Sequence, residues 1–406
     1  MLWLYNIGIQ FYGLIVRIFS LFDSKADLFI KGRVHIFEKV SQTIDAKQKH
    51  IWFHFASLGE FEQGRPVLEK IKKAYPHKRI VITFFSPSGY EIRKNYSQAD
   101  GIFYLPLDTY SNASKLIKAF NPEMAIFTKY EYWYHYFKEL SQNHVPIIII
   151  SGIFRPNQIY FQWYGVLNRK ILSYVTHFFV QNKESKNLLQ RINITNVTIS
   201  GDTRFDRVAE NAQSPKLIDR IKKFSHNKKV FVAGSTWPAD EQLLSVLAKA
   251  NLDWQFIIAP HEIGPNHIAN IQLLFPDSLK YSDANVEITT QVLIIDNIGL
   301  LSSIYQYADI TYIGGGFGVG IHNTLEAAAF GIPVIFGPNH QKFQEAKDLI
   351  SIGAAKSISN QEELNSAFKL LASTPESGQI AGQYVNEQKG STDKIFNYLT
   401  LLFDKQ

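Results

Sequence analysis

The sequence predicts an α/β protein made of two doubly wound halves. Three observations predict it. Strand-like buried runs alternate with helix-like amphipathic runs, the pattern comes as two series separated by a polar stretch, and the richest glycine cluster directly follows one of the strand-like runs. With 406 residues, 46% hydrophobic and 19% charged, the chain is large enough for two or three cores.

Taken in order, Met1 to Phe22 carries one charged side chain, Arg17, among Leu, Ile, Trp, Phe and Tyr, with Asn6 and Gln10 as polar interruptions. It lacks the basic start and small-residue cleavage site of a secretory signal. Its length just spans a bilayer, and its pattern suits a tilted anchor, an interfacial helix or a buried helix of the first half. Lys25, Lys31, Arg33 and Lys39 follow, which places the bulk of the protein on the cytoplasmic side if the segment inserts.

The first series of buried strands reads Ile51 to Phe55, Arg79 to Phe84, Met124 to Phe127, Pro146 to Ile150 and Phe178 to Val180. A second reads Val230 to Ala233, Trp254 to Ile258, Val292 to Ile295, Ile310 to Ile313 and Pro333 to Phe336, with helices expected over 239–250, 298–306 and 341–350. Between the series, Arg207 to Pro215 shows no apolar periodicity and reads as a linker. The expected organisation is a membrane-associating helix (1–22), a first domain (23–207) and a second domain (208–406) whose last helix can pack back on the first. Two such sheets facing each other would put their strand C-termini around a central cleft.

Composition narrows the chemistry. Zero cysteines exclude disulfides and thiolate metal sites. A net charge of +6 favours an anionic partner such as a phosphorylated lipid, a nucleotide or a membrane surface, and no nucleic-acid partner is expected. With neither an Asp-X-Asp element nor a close cluster of His and acids, the chemistry is expected to need no metal or other cofactor.

The motifs fall at strand ends. Gly314, Gly315, Gly316 and Phe317 open the chain after a strand, and Asn323 and Glu326 are expected on one face of the next helix, a pairing suited to ribose hydroxyls. Ser235 and Thr236 in Gly234-Ser235-Thr236 can hold a phosphate. Pro260 and His261 follow the next strand, the histidine either donating to a ligand or serving structure. Asp296 to Leu300 ends a third. In the first half, Ser57, Gly59 and Glu60 stand where a strand gives way to a helix. Glu60 is either a general base or an acid complementing the helix's positive end. Lys129 and Glu131 follow another strand beside Tyr130, Tyr132 and Trp133, rings that stack on a sugar, meet a membrane or pack internally.

Together these residues resemble the 3-deoxy-D-manno-octulosonic acid (Kdo) transferases of lipopolysaccharide synthesis, which are inverting glycosyltransferases of the GT-B fold. Gly32-Arg33 after the apolar start, Ala56 to Glu60, Gly201 to Asp206 and Gly234 to Thr236 carry the likeness. So do Pro260-His261, Gly314 to Phe317, His322 to Glu326 and Gly337-Pro338. The resemblance implies transfer of Kdo from CMP-Kdo to the lipid A precursor at the cytoplasmic face of the inner membrane, with Glu60 as general base. It also implies CMP contacts from Pro260, His261, Ile298, Gly299, Leu300, Asn323, Thr324, Leu325 and Glu326, with Ser235, Thr236, Gly315 and Gly316 as the phosphate cradle. Ser57, Gly59, Lys129 and Glu131 would lie on the acceptor side. Arg65, Lys129, Arg155 and Arg204 either meet the lipid's phosphates or are solvated surface charges. Two departures stand out: Ala259-Pro260-His261-Glu262 replaces a common Pro-Arg-His, and Trp237 replaces a usual histidine. Two other classes keep the cradle: a GT-B enzyme using another nucleotide-sugar, and a non-catalytic membrane-bound sugar-nucleotide sensor indifferent to Glu60→Gln.

Overall fold

A computed structural model describes residues 1–225, 228–283 and 290–404. The chain forms two compact units, Met1–Asp206 together with Lys389–Gln406, and Arg207–Gln388.

The first unit holds β1 (His50–Phe55), β2 (Arg79–Phe84), β3 (Gly101–Tyr104), β4 (Pro122–Thr128), β5 (Ile147–Gly152), β6 (His177–Val180) and β7 (Val197–Ile199). They form one parallel sheet in the order β3-β2-β1-β4-β5-β6-β7. Runs such as Ile147 to Ile150 are buried on both faces, which is why the strands read as unbroken apolar segments. Chain direction across the sheet reverses between β1 and β4. The segments leaving these two strands therefore flank a switch point, where open α/β sheets form crevices.

In the second unit β8 (Lys229–Thr236), β9 (Trp254–Pro260), β10 (Leu279–Lys280), β11 (Val292–Ile294), β12 (Ile310–Ile313), β13 (Val334–Phe336) and β14 (Ala355–Ser357) form a parallel sheet ordered β10-β11-β9-β8-β12-β13-β14. Its switch point lies between β8 and β12.

Each predicted strand is present, and the four not predicted, β3, β7, β10 and β14, are the edges of the two sheets. With a neighbour on one side only, an edge strand can be short and polar. Leu279–Lys280 and Ala355–Ser357 have no apolar run to read.

Two other expectations need correction. The polar stretch after Asp206 is not a linker, because Thr203–Gln213 is helical with Phe205, Val208 and Ala209 buried at helical spacing. The helix expected over 298–306 begins at Leu301, runs to Ile304 and tightens into a 3-10 turn at Tyr305–Tyr307. Gly299, at φ 92°, cannot be part of it.

The helix Ser391–Phe403 belongs to the first unit. Ile395, Leu399 and Phe403 join the core formed by Ile51, Phe53, Val67 and Ile71. Asp206 fixes its start by accepting from the Gly390 and Thr392 N–H groups at 2.6 and 2.7 Å.

The N-terminal helix, Leu2–Phe19, is the single helix among the described residues long and apolar enough to cross a membrane. None of its residues is buried, which excludes the buried-helix reading. Leu2, Tyr5, Ile9 and Val16 form a half-covered stripe, while Trp3, Leu4, Ile7, Phe11, Leu14, Ile18 and Phe19 are exposed. Polar latches hold the stripe to the first unit. The Tyr5 hydroxyl donates to Asp108 at 2.5 Å, and Asn6 Oδ1 meets His135 Nε2 at 2.7 Å.

Candidate functional site

The first unit brings Glu60 and Glu131 to its switch point. β1 ends at Phe55, Ser57 caps the helix Leu58–Ala74 in an extended conformation, and Glu60 lies in the first turn. Its Oε2 folds back to accept the Ala56 N–H at 2.6 Å. Glu60 thus does complement a helix start, yet it remains a titrating group. Desolvation foremost, and then the neighbouring charge of Glu131, push its carboxyl up to about 7.

Glu131 leaves β4 through Lys129, whose backbone is left-handed at φ 59°. Such strain in a non-glycine residue persists where the surroundings over-determine it, and this one re-aims the chain at the strand end. Glu131 Oε2 meets His54 Nε2 at 3.2 Å and accepts the Trp133 indole N–H at 3.0 Å. Three buried polar atoms nearby, Thr128 Oγ1, Tyr132 Oη and Gln63 Oε1, have no protein partner. An aromatic ladder joins this edge to the N-terminal helix: Tyr12 stacks on Phe85 at 6.1 Å, and Phe85 packs at a tilt against Trp133 at 5.0 Å between ring centres.

The basic residues divide. Arg65 is tied to Glu69 at 2.7 Å and Arg204 to Asp202 at 2.9 Å, so both are structural ion pairs. Lys129 and Arg155 act on this edge of the sheet, Lys129 on Glu60 and Arg155 on Tyr130 through their charges. Beside the N-terminal helix is a cavity of about 780 Å³ lined by apolar side chains such as Leu14, Phe29 and Ile30 together with Arg17 and His35.

In the second unit the sequence-predicted residues line the ends of β8, β9 and β12. Ser235 is left-handed at φ 54° and interrupts the β8–β9 register. Thr236 is buried and donates to Glu241 at 2.9 Å. His261 follows Pro260 and stacks on Trp237 at 4.9 Å and on His322 at 4.4 Å. Trp237 and His322 are themselves joined at 3.3 Å, from Nε1–H to Nε2. Burial first, and then His261, hold the His322 imidazole down at about 4. Ile298, Gly299 and Leu300 form the turn before Leu301, with Ile298 almost wholly exposed.

The glycine cluster differs from its sequence reading. The Gly315 N–H is already bound by Asp240 at 3.0 Å. A Cβ on Gly314 would sit 2.2 Å from the Ser235 carbonyl oxygen, and one on Gly316 would sit 2.6 Å from Gly337, so these two glycines let neighbouring strand ends approach. The helix meant to carry Asn323 and Glu326 on one face is only Leu325–Ala328, so its four residues sum too small a dipole to draw an anion. The pair meets by another route. Asn323 caps the Leu325 N–H at 3.1 Å and donates to Glu326 at 3.1 Å. Thr324, fully buried, keeps an unpartnered hydroxyl there.

Sequence reasoning passed over His54, Thr83, Asp240 and Glu241 as functional positions. A polar residue inside an otherwise apolar parallel strand, as at His54 and Thr83, was the available signal. Asp240 and Glu241 resemble ordinary first-turn acids, and nothing local distinguishes them. Among the described residues no three His, Asp or Glu side chains group as a metal would require.

Solved structures share this architecture. UDP-GlcNAc 2-epimerase from Neisseria meningitidis superposes with a TM-score of 0.61 over 88% of this chain and 100% of its own, at 16% identity. MurG from Acinetobacter baumannii gives 0.56 over 87% and 99%, at 15% identity. Two Rossmann-like parallel-sheet domains with loop-built strand ends define the GT-B fold class.

Sequence comparison narrows that class. Residues 31–207 match the family model of 3-deoxy-D-manno-octulosonic-acid transferase (kdotransferase). A 3-deoxy-D-manno-octulosonic acid transferase of Chlamydophila psittaci is 26% identical over 363 residues, covering 85% of this chain and 83% of that protein. One from Rickettsia felis is 26% identical over 358 residues, covering 84% and 75%. The family model over the first unit and these relatives over most of the chain support the Kdo transferase family, and with it a glycosyltransferase.

Proposed function

We propose that this protein transfers Kdo from CMP-Kdo to a hydroxyl of the lipid A precursor, with inversion, using Glu60 as general base and no metal ion. The acceptor oxygen attacks the anomeric carbon from the face opposite CMP as its proton passes to Glu60. The bond to the CMP phosphate breaks, and the electron pair leaves with CMP. The observation that carries this reading is Glu60 itself, a carboxyl at a switch point whose proton affinity lies near neutrality, where a base both accepts and releases a proton readily.

In this reading CMP is held by Ser235, Thr236, Pro260, His261, Ile298, Gly299, Leu300, Gly315, Gly316 and Asn323 to Glu326. Because the Gly315 N–H is bound to Asp240, the phosphate would rely on other donors, among them the Ser235 and Thr324 hydroxyls. Ser57, Gly59, Lys129 and Glu131 serve the acceptor. The exposed apolar face of the N-terminal helix rests on the cytoplasmic leaflet of the inner membrane, and the apolar lining of the adjoining cavity with Arg17 suits a phosphorylated lipid, His35 being paired with Glu38 there.

The test is Kdo transfer from CMP-Kdo, generated in situ, to tetra-acylated lipid A precursor in detergent without added metal. Wild-type product that is lost in Glu60→Gln supports the reading. Full activity in the variant removes Glu60 as base, and no product from a folded, CMP-binding wild type removes the acceptor or donor.

A further inference from the structure

Two carboxylates share the switch point of the first unit, and the hydrogen bonds beneath them are unequal. Glu60 accepts one backbone N–H, from Ala56. Glu131 Oε2 accepts from Trp133 and faces His54 Nε2, and His54 belongs to a chain running down into the core. The Trp52 indole N–H meets Thr83 Oγ1 at 2.8 Å, and Thr83 Oγ1 meets His54 Nδ1 at 2.8 Å. His54 and Thr83 are fully buried, and the ring of Phe127 lies 5.3 Å from that of His54.

The donors in this chain can be assigned. An indole nitrogen only donates, so Thr83 accepts from Trp52 and has its own hydrogen for Nδ1. Nδ1 is then the acceptor, and the imidazole proton sits on Nε2, pointing at Glu131. The opposite tautomer would set a bare nitrogen lone pair against a carboxylate oxygen and leave the buried Thr83 hydrogen unused.

We propose that His54 is a positioning residue for sugar transfer: a core-anchored N–H that keeps Glu131 oriented as the anion beside Glu60, so that Glu60 is the carboxylate that takes the acceptor's proton. This rests on the reading of Glu60 as general base. Two carboxylates whose charges act on one another would otherwise share one proton without a fixed owner. Two ring N–H donors on Glu131 against one backbone donor on Glu60 break the tie. Other groups facing the pair are Lys129, Tyr130 and Tyr132 toward Glu60, and Tyr12, Tyr132 and Tyr160 toward Glu131. None of these is a histidine or an acid that could take over the task.

The experiment is the pH profile of kcat/KM for Kdo transfer in wild type, His54→Phe, His54→Gln and Glu131→Gln, with Glu60→Gln as the control for the base. His54→Phe is expected to lower kcat at least tenfold with little change in acceptor KM, and to move the acidic limb down by about one pH unit as Glu131 stops repelling charge on Glu60. His54→Gln, whose carboxamide can still donate to Glu131, should recover most of the rate and the limb. Should His54→Phe fail to fold, Glu131→Gln carries the test, because it keeps an acceptor for Trp133 while removing the charge and should move the limb the same way. Limbs that stay at the wild-type position in every folded variant, or equal losses in His54→Phe and His54→Gln, overturn the proposal while leaving the Glu60 reading intact. An active Glu60→Gln overturns both, and is recognised by that control alone.

Discussion

The two switch points have the same address in the same topology but commit different numbers of donors to their acids. At the β1/β4 edge Glu60 is desolvated, accepts one backbone N–H and is lifted to about 7. At the β8/β12 edge Asp240 and Glu241 are also buried but are tied into internal hydrogen bonds; burial raises the Glu241 carboxyl too, with the bonds from His267 and Thr236 working against it. Asp240 accepts from the Tyr312 hydroxyl at 2.7 Å, the Trp237 N–H at 2.9 Å and the Gly315 N–H at 3.0 Å. Glu241 accepts from Thr236 and meets His267 at 3.0 Å. Burial alone therefore does not make a carboxylate a base. What separates the edges is how many donors the fold commits, and the second edge spends its acids on shaping loops.

The contrast can be broken most forcefully at Glu60. Glu60→Gln keeps an acceptor for the Ala56 N–H, so the unit should fold while transfer falls on the order of 10²–10⁴-fold, read as kcat with both substrates saturating. An equal loss from a substitution at Asp240 with CMP binding intact would erase the distinction between the edges.

Asp240→Ala comes next. It leaves three donors without an acceptor and should destabilise the second unit by about 3 kcal/mol in urea unfolding, with weakened CMP binding in calorimetry. A loss below about 1 kcal/mol would mean that the loops do not depend on this acid.

Glu60→Gln has a second consequence, opposite in sign. Folding raises the Glu60 carboxyl from 4.5 to about 7, so its contribution to stability is complete below 4.5 and is lost as pH climbs through 7. The variant lacks that loss and should be more stable than wild type at pH 8 by about 3 kcal/mol, the advantage vanishing near pH 4. Equal stability at pH 8 would show that Glu60 is solvated.

The smallest effect lies in the stacked rings of the second edge. His322 should stay neutral down to about 4, and ring nitrogen shifts in NMR report it directly. Titration near 6.5 would indicate that the Trp237, His261 and His322 stack is open.

Much of this was legible in the sequence because the central strands are buried on both faces, and runs such as Arg79–Phe84 and Ile310–Ile313 have the bounds the pattern gives. The edge strands were not, since one neighbour demands little apolar length. Glu60 was found from its place between strand and helix. His54, the partner of Glu131, stayed hidden because the contact depends on Glu131 being brought across from β4 by Lys129's left-handed turn. Asn323 and Glu326 meet through a cap rather than a helix face, a distinction periodicity cannot make.

The account stands most directly on the pH dependence of kcat/KM for Kdo transfer by the wild-type protein. It predicts a rate that rises through a single ionisation near 7, with that limb absent from the residual activity of Glu60→Gln. A flat profile from pH 5 to 9, or the same limb in both proteins, would contradict it.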